Sequence, residues 1–422
     1  MQTRLQSLLA GFLLLLLTQT TWADSEQTQD LPLKELRIFS EIFHQIRQHY
    51  VSDVTDRELL DHAIRGMLSG LDPHSAYLDK EDFLALQEST TGEFAGLGLE
   101  VTLENGMLKV IAPIDDTPAQ RAGIVAGDII IKIGEQMIKG LSLDESIELM
   151  RGPKGSTVSL TILRDSETAP LEFKLERDII KIRSVKSRII DNHYAYLRIA
   201  QFQNKTAEDA HRQILDMEKN RGKPLQGLII DLRNNPGGIL ESAIALSDLF
   251  IREGLIVYTK GRHNESLEEF FATETVIMEG KPIIVLINNG SASASEIVAG
   301  ALQDHKRAMI VGTTSFGKGS VQTILPLPDD NAIKLTTARY YTPLGRSIQA
   351  RGIQPDIIAR RATLTPQEQS SAIKEANLAR HIDKDEGDEP PATEQDMQLL
   401  NDYQLYEAVN LIKAMQFSMD VR

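Results

Sequence analysis

The sequence predicts an α/β core joined to a smaller β-rich domain, with helical segments at both ends. Three observations predict it. Residues Ile283–Ile287 and 308–311 are short apolar runs of the kind that form strands buried on both faces. Each leads to a turn of small residues, and the first turn opens into a helix-like run through Ile297, Val298, Ala301 and Leu302. Residues 158–175 alternate around Arg164-Asp165-Ser166 as a hairpin does, and apolar residues recur at helical spacing near both ends. A chain of 422 residues, 41% hydrophobic, allows two or three domains and a sizeable core. A net charge of −15 argues against nucleic acid as a partner. The absence of cysteine excludes disulfides, thiolate zinc sites and cysteine nucleophiles.

In chain order, residues 1–23 have the pattern of a secretory signal. Arg4 supplies the positive end, residues 8–17 are an apolar core too short to span a membrane as a stable helix, and Thr21-Trp22-Ala23 puts small residues at the cleavage positions. Cleavage near Ala23 is expected, with export to the periplasm if the source is a Gram-negative bacterium; an uncleaved anchor is the alternative. Residues 24–85 are predicted to be a helical region. Leu36, Phe39, Phe43, Ile46 and Tyr50 form one stripe; Leu60, Ile64, Met67, Leu68 and Leu71 form another. Such a region packs on its own core or pairs with another subunit. The run AIRGMLSGLDPHS at 63–75 shows no chemistry, and His74, after a proline, is not expected to hold a metal.

Residues 86–165 are predicted to be a second domain. Gly96-Leu97-Gly98-Leu99 is a glycine loop leading into a plausible edge strand. The run AQRAGIVAGDII follows at 119–130, and then a helix over Leu143–Met150 with Ile147 and Met150 on its apolar side. These segments resemble a PDZ domain. The resemblance implies that backbone N–H groups of the glycine loop converge on a peptide's terminal carboxylate while the peptide adds a strand. A dinucleotide-binding loop is excluded, because no third glycine follows Gly98 and no mononucleotide fold surrounds it.

Residues 166–360 are predicted to be the core. Strands are expected at Tyr194–Ile199 and Gly227–Asp231, with a helix over 206–217 between them. The turn Leu232-Arg233-Asn234-Asn235-Pro236-Gly237-Gly238 then leads into a helix over 239–250, with Asp231 expected to anchor the loop. The chemistry-bearing stretch is GSASASEIVAGALQDHKRAMIVGTTSFGKGSVQ at 290–322. It presents a serine at a helix N-terminus and Lys318 in a glycine loop, each beside a buried strand. Serine becomes a nucleophile when a base takes its proton, and lysine is such a base once burial lowers its pKa. Gln322 could orient that lysine. Three blander possibilities compete. Ser293 and Glu296 fit a capping box, Lys318 fits a solvated turn, and 312–318 nearly matches a P-loop except that Gly319 stands where Ser or Thr is required. His305 is a rival base, expected to be exposed in its polar segment.

These residues resemble the C-terminal processing (tail-specific) protease family. The resemblance implies an α/β protease core of crotonase-like/tail-specific type, with a PDZ domain and helical N- and C-terminal regions. It implies Ser293 as nucleophile, Lys318 as base and Gln322 as the residue that orients Lys318. It makes the amides of Ala294 and of Gly238 or Gly237 the oxyanion donors. It makes Gly96, Leu97, Gly98, Leu99, Ile147, Met150 and Arg151 the substrate-binding set, with Arg151 linking an occupied PDZ domain to the protease site; a solvated charge at a helix C-terminus is its alternative. The implied substrates are unstructured proteins with free apolar C-termini. Neither metal nor cofactor is implied. A homo-oligomer and a helical-repeat adaptor are the implied partners. A non-catalytic PDZ-type binding protein on a protease-like fold is the rival function.

Residues 332–336 alternate and predict a strand, with Ile333 and Leu335 expected in the core. Residues 361–422 are predicted to be an acidic linker, with Pro390-Pro391, and a terminal helix. Leu399, Tyr403, Tyr406, Val409, Ile412 and Met415 form its stripe, which either docks on the chain's own core or makes an assembly surface.

Overall fold

A computed structural model describes residues 31–104, 106–114, 116–262, 267–274, 276–363 and 401–420. The expected signal and acidic linker lie outside the described residues, as does Leu399. The chain divides into two compact units, 1–70 and 71–422.

The first unit holds two helices, α1 (Leu33–His49) and α2 (Asp56–Ser69). A capping box starts α2: the Thr55 hydroxyl accepts from the Glu58 amide, and the Glu58 carboxylate accepts from the Thr55 amide at 2.8 Å. The predicted stripe of α1 does not form a core. Leu36, Phe39 and Ile46 all stay exposed, and none of the described residues of α1 is buried.

The second unit opens with β1 (Ala76–Leu78) and α3 (Lys80–Thr91), which ends at Gly92 in the left-handed region. Strand β2 (Glu93–Gly96) leads into the PDZ-like sheet. That sheet is built from β3 (Leu99–Glu104), β4 (Met107–Pro113), β5 (Ile129–Ile133), β6 (Gln136–Met137), β7 (Thr157–Leu163) and β8 (Leu171–Glu176). Helices α4 (Pro118–Arg121) and α5 (Leu143–Met150) lie between strands in the chain. The order is β3-β4-β5-β7-β8 with β6 on β5, so β3 is an edge strand as expected. Leu108, Ile130, Leu160 and Ile162 fill the core of this sheet. The β7–β8 hairpin carries the sheet to Glu176, beyond the expected limit at 165. Strand β9 (Asp178–Lys181) then pairs with β2.

The central sheet consists of β10 (Val185–Ile190), β11 (Tyr194–Ile199), β12 (Gly227–Asp231), β15 (Ile283–Ile287), β16 (Met309–Gly312) and β19 (Ile357–Ile358), in that order. From β11 onward all pairings are parallel. Every residue of β12 and β15 is buried, because helices cover both faces. On one face lie α6 (Thr206–Arg221), α7 (Leu240–Asp248) and α8 (Ala294–Asp304). On the other lies α9 (Tyr403–Asp420), through Leu405, Ala408, Val409 and Ile412. The C-terminal stripe thus docks on the chain's own core. A separate antiparallel sheet joins β13 (Leu255–Gly261), β14 (Leu267–Phe271), β17 (Ser320–Pro326) and β18 (Ala332–Tyr341) to β1.

One expected face is corrected. Ile333 and Leu335 are only half-buried, whereas Ala332 and Tyr340 on the opposite parity are buried. Side chains alternate along a strand, so Lys334 and Thr336 share the face opposite Ile333 and Leu335, up to the irregularity between Thr336 and Ala338. Lys334 and Tyr340 line the cleft described next.

Candidate active site

Strand β15 delivers a tight turn that holds Ser293 at φ +54°, just before α8. A serine in this region is strained by about 1–3 kcal/mol, a cost tolerated where it aims a functional group. Its neighbours are spent on structure. The buried Ser291 hydroxyl donates to the Leu232 carbonyl at 2.8 Å, and the Ser295 hydroxyl to the Asn235 carbonyl at 3.0 Å. Of the three serines in the SASAS run, Ser293 lines the cleft.

Strand β16 delivers the lysine loop. Gly312, at φ +132°, passes so close to β15 that an added Cβ would lie 2.0 Å from the Ile287 carbonyl oxygen. The half-buried Lys318 has its pKa pushed below that of an ordinary lysine, by burial first and by Lys334 second, against the opposing charges of Glu296 and Asp72. The blander reading of a solvated turn lysine therefore does not describe it. The P-loop comparison ends here too: no serine or threonine hydroxyl follows Lys318 directly, and Gly319 is packed against Gln349.

Two residues that the sequence did not mark for chemistry join the two loops. Glu296 is fully buried. One carboxylate oxygen accepts from the Ser293 amide at 2.8 Å and the Lys318 amide at 2.9 Å. The other accepts from the Gly317 amide at 2.7 Å and the Ser315 hydroxyl at 2.5 Å. Burial pushes its pKa up, against the pull of those four donors. The capping role expected for Glu296 is real but is half of what it does. The second residue is Tyr340, whose phenol donates to the Lys318 carbonyl and is within hydrogen-bonding reach of the Ser293 side chain. Burial raises its pKa.

Ser293, Ala294, Lys318, Gln322, Gly238 and Tyr340 all line one cleft of about 720 Å³. Gln322 donates to the Ser320 hydroxyl at 2.8 Å and to the Thr336 hydroxyl at 3.4 Å; among the described residues no hydrogen bond joins it to the Lys318 amine. The oxyanion candidates separate. The Gly237 amide donates to the Asn235 side-chain oxygen at 2.9 Å, so it is committed within its own turn and is set aside as a donor. Gly237 instead provides room, since a Cβ there would meet the Ser293 Cβ at 2.7 Å. Gly238 and Ala294 reach the cleft. Asp231 anchors the loop by accepting from the Tyr196 hydroxyl and from Arg233, as expected. His305 is corrected: it is half-buried, its Nε2 lies 2.7 Å from the Leu255 carbonyl oxygen, and it does not line the cleft.

A second cavity, of about 390 Å³, is lined by Gly96, Leu97, Gly98, Leu99, Ile147, Met150 and Arg151 together. Leu97 is in the core, 2% exposed, and its carbonyl accepts from the Ala119 amide at 3.0 Å, so its side chain is not offered to a ligand. Arg151 is not a solvated charge. It is half-buried and paired with Glu88 of α3 at 2.8 Å, and burial raises the Glu88 carboxyl. Helix α3 also separates the two cavities: Glu88 and Ser89 line this one, while Leu86, Ser89 and Thr90 line the cleft that holds Ser293.

The parallel sheet, the turn that brings Ser293 to the cleft and the lysine loop are those of a serine peptidase of the S41 class. The model of peptidase family S41 matches residues 193–359, a PDZ domain model matches 95–175, and a model of the activating protease CtpB N-terminal domain matches 16–82. A carboxy-terminal-processing protease of Bartonella bacilliformis is 50% identical over 346 residues, which are 82% of this chain and 79% of that protein. A carboxyl-terminal-processing protease of Synechocystis is 36% identical over 377 residues, 85% of this chain and 87% of that one. A solved photosystem II D1 C-terminal processing protease is 29% identical, covering 78% of this chain and 94% of its own, with a TM-score of 0.46. The chain belongs to the carboxy-terminal-processing protease family.

Proposed function

We propose that this peptidase cleaves proteins whose unstructured, apolar C-termini are captured in its PDZ groove, and that it does so with a Ser293–Lys318 dyad. The observation that carries the proposal is a lysine amine pushed toward its neutral form in the same cleft as a strained, half-buried serine. Ser293 attacks the peptide carbonyl as Lys318 takes its proton, and Lys318 returns the proton to the leaving amine. Water then hydrolyses the acyl-enzyme. Gln322 holds the lysine. The amides of Gly238 and Ala294 stabilise the oxyanion, each worth about 2.7–4 kcal/mol in the transition state. The apolar walls Ile147 and Met150 beside the glycine loop support recognition of an apolar terminal side chain with a free carboxylate.

Export through the N-terminal signal, assembly into a homo-oligomer and delivery of substrates by a helical-repeat adaptor belong to the same proposal. The exposed stripe on α1 supports the second of these. The non-catalytic alternative has little in its favour, since each group that the chemistry needs is present. Lys318→Ala is expected to reduce cleavage of an unfolded substrate on the order of 10⁴-fold, while His305→Ala leaves it near the parent rate. The opposite pattern in a turnover assay overturns the dyad.

A further inference from the structure

The turn Asp72-Pro73-His74-Ser75 enters the site from outside the protease core. Asp72 accepts from the amides of His74 at 2.7 Å and Ser75 at 2.9 Å, and from the Ser75 hydroxyl at 2.7 Å. The turn is fastened to β18 next to the dyad. The Thr336 amide donates to the Ser75 hydroxyl at 3.1 Å, and the Thr336 hydroxyl donates to Asp72 at 3.2 Å. That same Thr336 oxygen accepts from the Gln322 amide group, which also donates to Ser320. His74 lines the cleft that contains Ser293, Lys318 and Gln322.

We propose that Asp72 is a positioning residue for catalysis: acting through Thr336, it dictates which end of the Gln322 amide is turned toward Lys318. The proposal rests on the Ser293–Lys318 dyad. An ionised carboxylate can only accept hydrogen bonds, and a hydroxyl has one proton to give. With Asp72 taking the Thr336 proton, Thr336 can only accept from Gln322. The NH₂ of Gln322 is thereby committed to Thr336 and Ser320, and its carbonyl oxygen is the end left to hold the lysine amine. With no acceptor at position 72 the hydroxyl could turn round and the amide flip, which would present an NH₂ to an amine that needs an acceptor.

Asp72 is suited to this. Burial would raise its carboxyl, but hydrogen bonds from the Ser75 hydroxyl, the His74 and Ser75 amides and Thr336 hold it below the ordinary value, so it stays ionised. Its charge also acts on Lys318 directly. The groups facing that amine are Asp72 and His74 from the turn, Lys334 and Tyr340 from β18, and Glu296 from α8; Glu241 and Glu268 line the same cleft. Asp72 favours the charged ammonium. Its removal therefore lowers the Lys318 pKa and moves the acid limb of the rate profile to lower pH.

The test uses the full chain and a quenched-fluorescence peptide with an apolar free C-terminus. Asp72→Ala, which removes the acceptor, is expected to lower kcat on the order of 10-fold, in the range seen for outer-shell partners, with KM little changed and the acid limb displaced to lower pH. Thr336→Val is expected to lose a similar factor without displacing the limb, and Thr336→Ser to restore it. The Thr336 pair decides the matter if Asp72→Ala does not fold. Parent-like kcat and an unmoved limb in Asp72→Ala, or Thr336→Val as active as Thr336→Ser, overturns the proposal. Lys318→Ala run alongside separates the two failures: turnover without the lysine removes the dyad itself, whereas a dead Lys318→Ala beside a parent-like Asp72→Ala removes only the role of Asp72.

Discussion

At the scale of single residues, the site depends on one buried carboxylate. Glu296 receives the backbone of both the Ser293 turn and the Lys318 loop, so it ties together groups that lie 25 positions apart. Glu296→Gln keeps the shape but puts an NH₂ against amide donors. About 2–3 kcal/mol of stability should be lost, the cost of leaving buried donors unpaired, and kcat should fall with it. Chemical denaturation and initial rates check this; a variant as stable and as fast as the parent would remove Glu296 from the site. The residue was legible in the sequence only as the fourth member of a capping box. Its contacts with Ser315, Gly317 and Lys318 come from a loop on the next strand, which no local pattern reports. Tyr340 was missed for a related reason: an apolar-polar alternation in 332–336 shows that one face is buried but not which partner lies over the other face.

At the scale of elements, α3 lines both the cavity beside the glycine loop and the cleft that holds Ser293 and Lys318. Arg151 at the end of α5 pairs with Glu88 on that helix, and the Gly92 turn that ends α3 packs against Gln203. A peptide in the groove would lie beside this ion pair. Arg151→Ala is expected to slow cleavage of a substrate that has a free C-terminus in the groove, and to affect a short peptide too small to reach the groove far less. Equal loss on both substrates would reject a gating role and leave Arg151 as a structural partner of Glu88. The elements themselves were legible. The helix Leu143–Met150 and the strands Tyr194–Ile199, Gly227–Asp231 and Ile283–Ile287 fall where apolar runs and their punctuation put them. Their pairings were not, because a strand's neighbours are chosen by segments far away in the chain.

At the scale of the whole second unit, α9 supplies the far face of the central sheet. Ile412 is completely buried and lies directly over Gly227, where an added Cβ would meet it at 2.7 Å. Just ahead of α9, Asp402 pairs with Arg233, the residue that leads into the Pro236-Gly237-Gly238 turn. The C-terminal helix therefore closes one face of the sheet, while α8, which follows Ser293, lies on the other. Ile412→Ala is expected to cost about 2–5 kcal/mol, as large-to-small changes in a core do, while leaving kcat unchanged well below the unfolding temperature. Thermal unfolding followed by circular dichroism, with rates measured in parallel, tests the separation. A loss of kcat without a loss of stability would mean that α9 reaches the chemistry.

The sequence by itself supplied the candidate groups for the chemistry and the expected order of the domains. A serine at the start of an apolar helix, a lysine between glycines and a glycine loop before an edge strand are local patterns that mark candidate sites. The tertiary structure alone decided which glycine amide is committed within its own turn, which residues of β18 line the cleft, and that Asp72 is linked through Thr336 to Gln322. Each of those depends on a hydrogen bond or a strand register that the packed whole fixes.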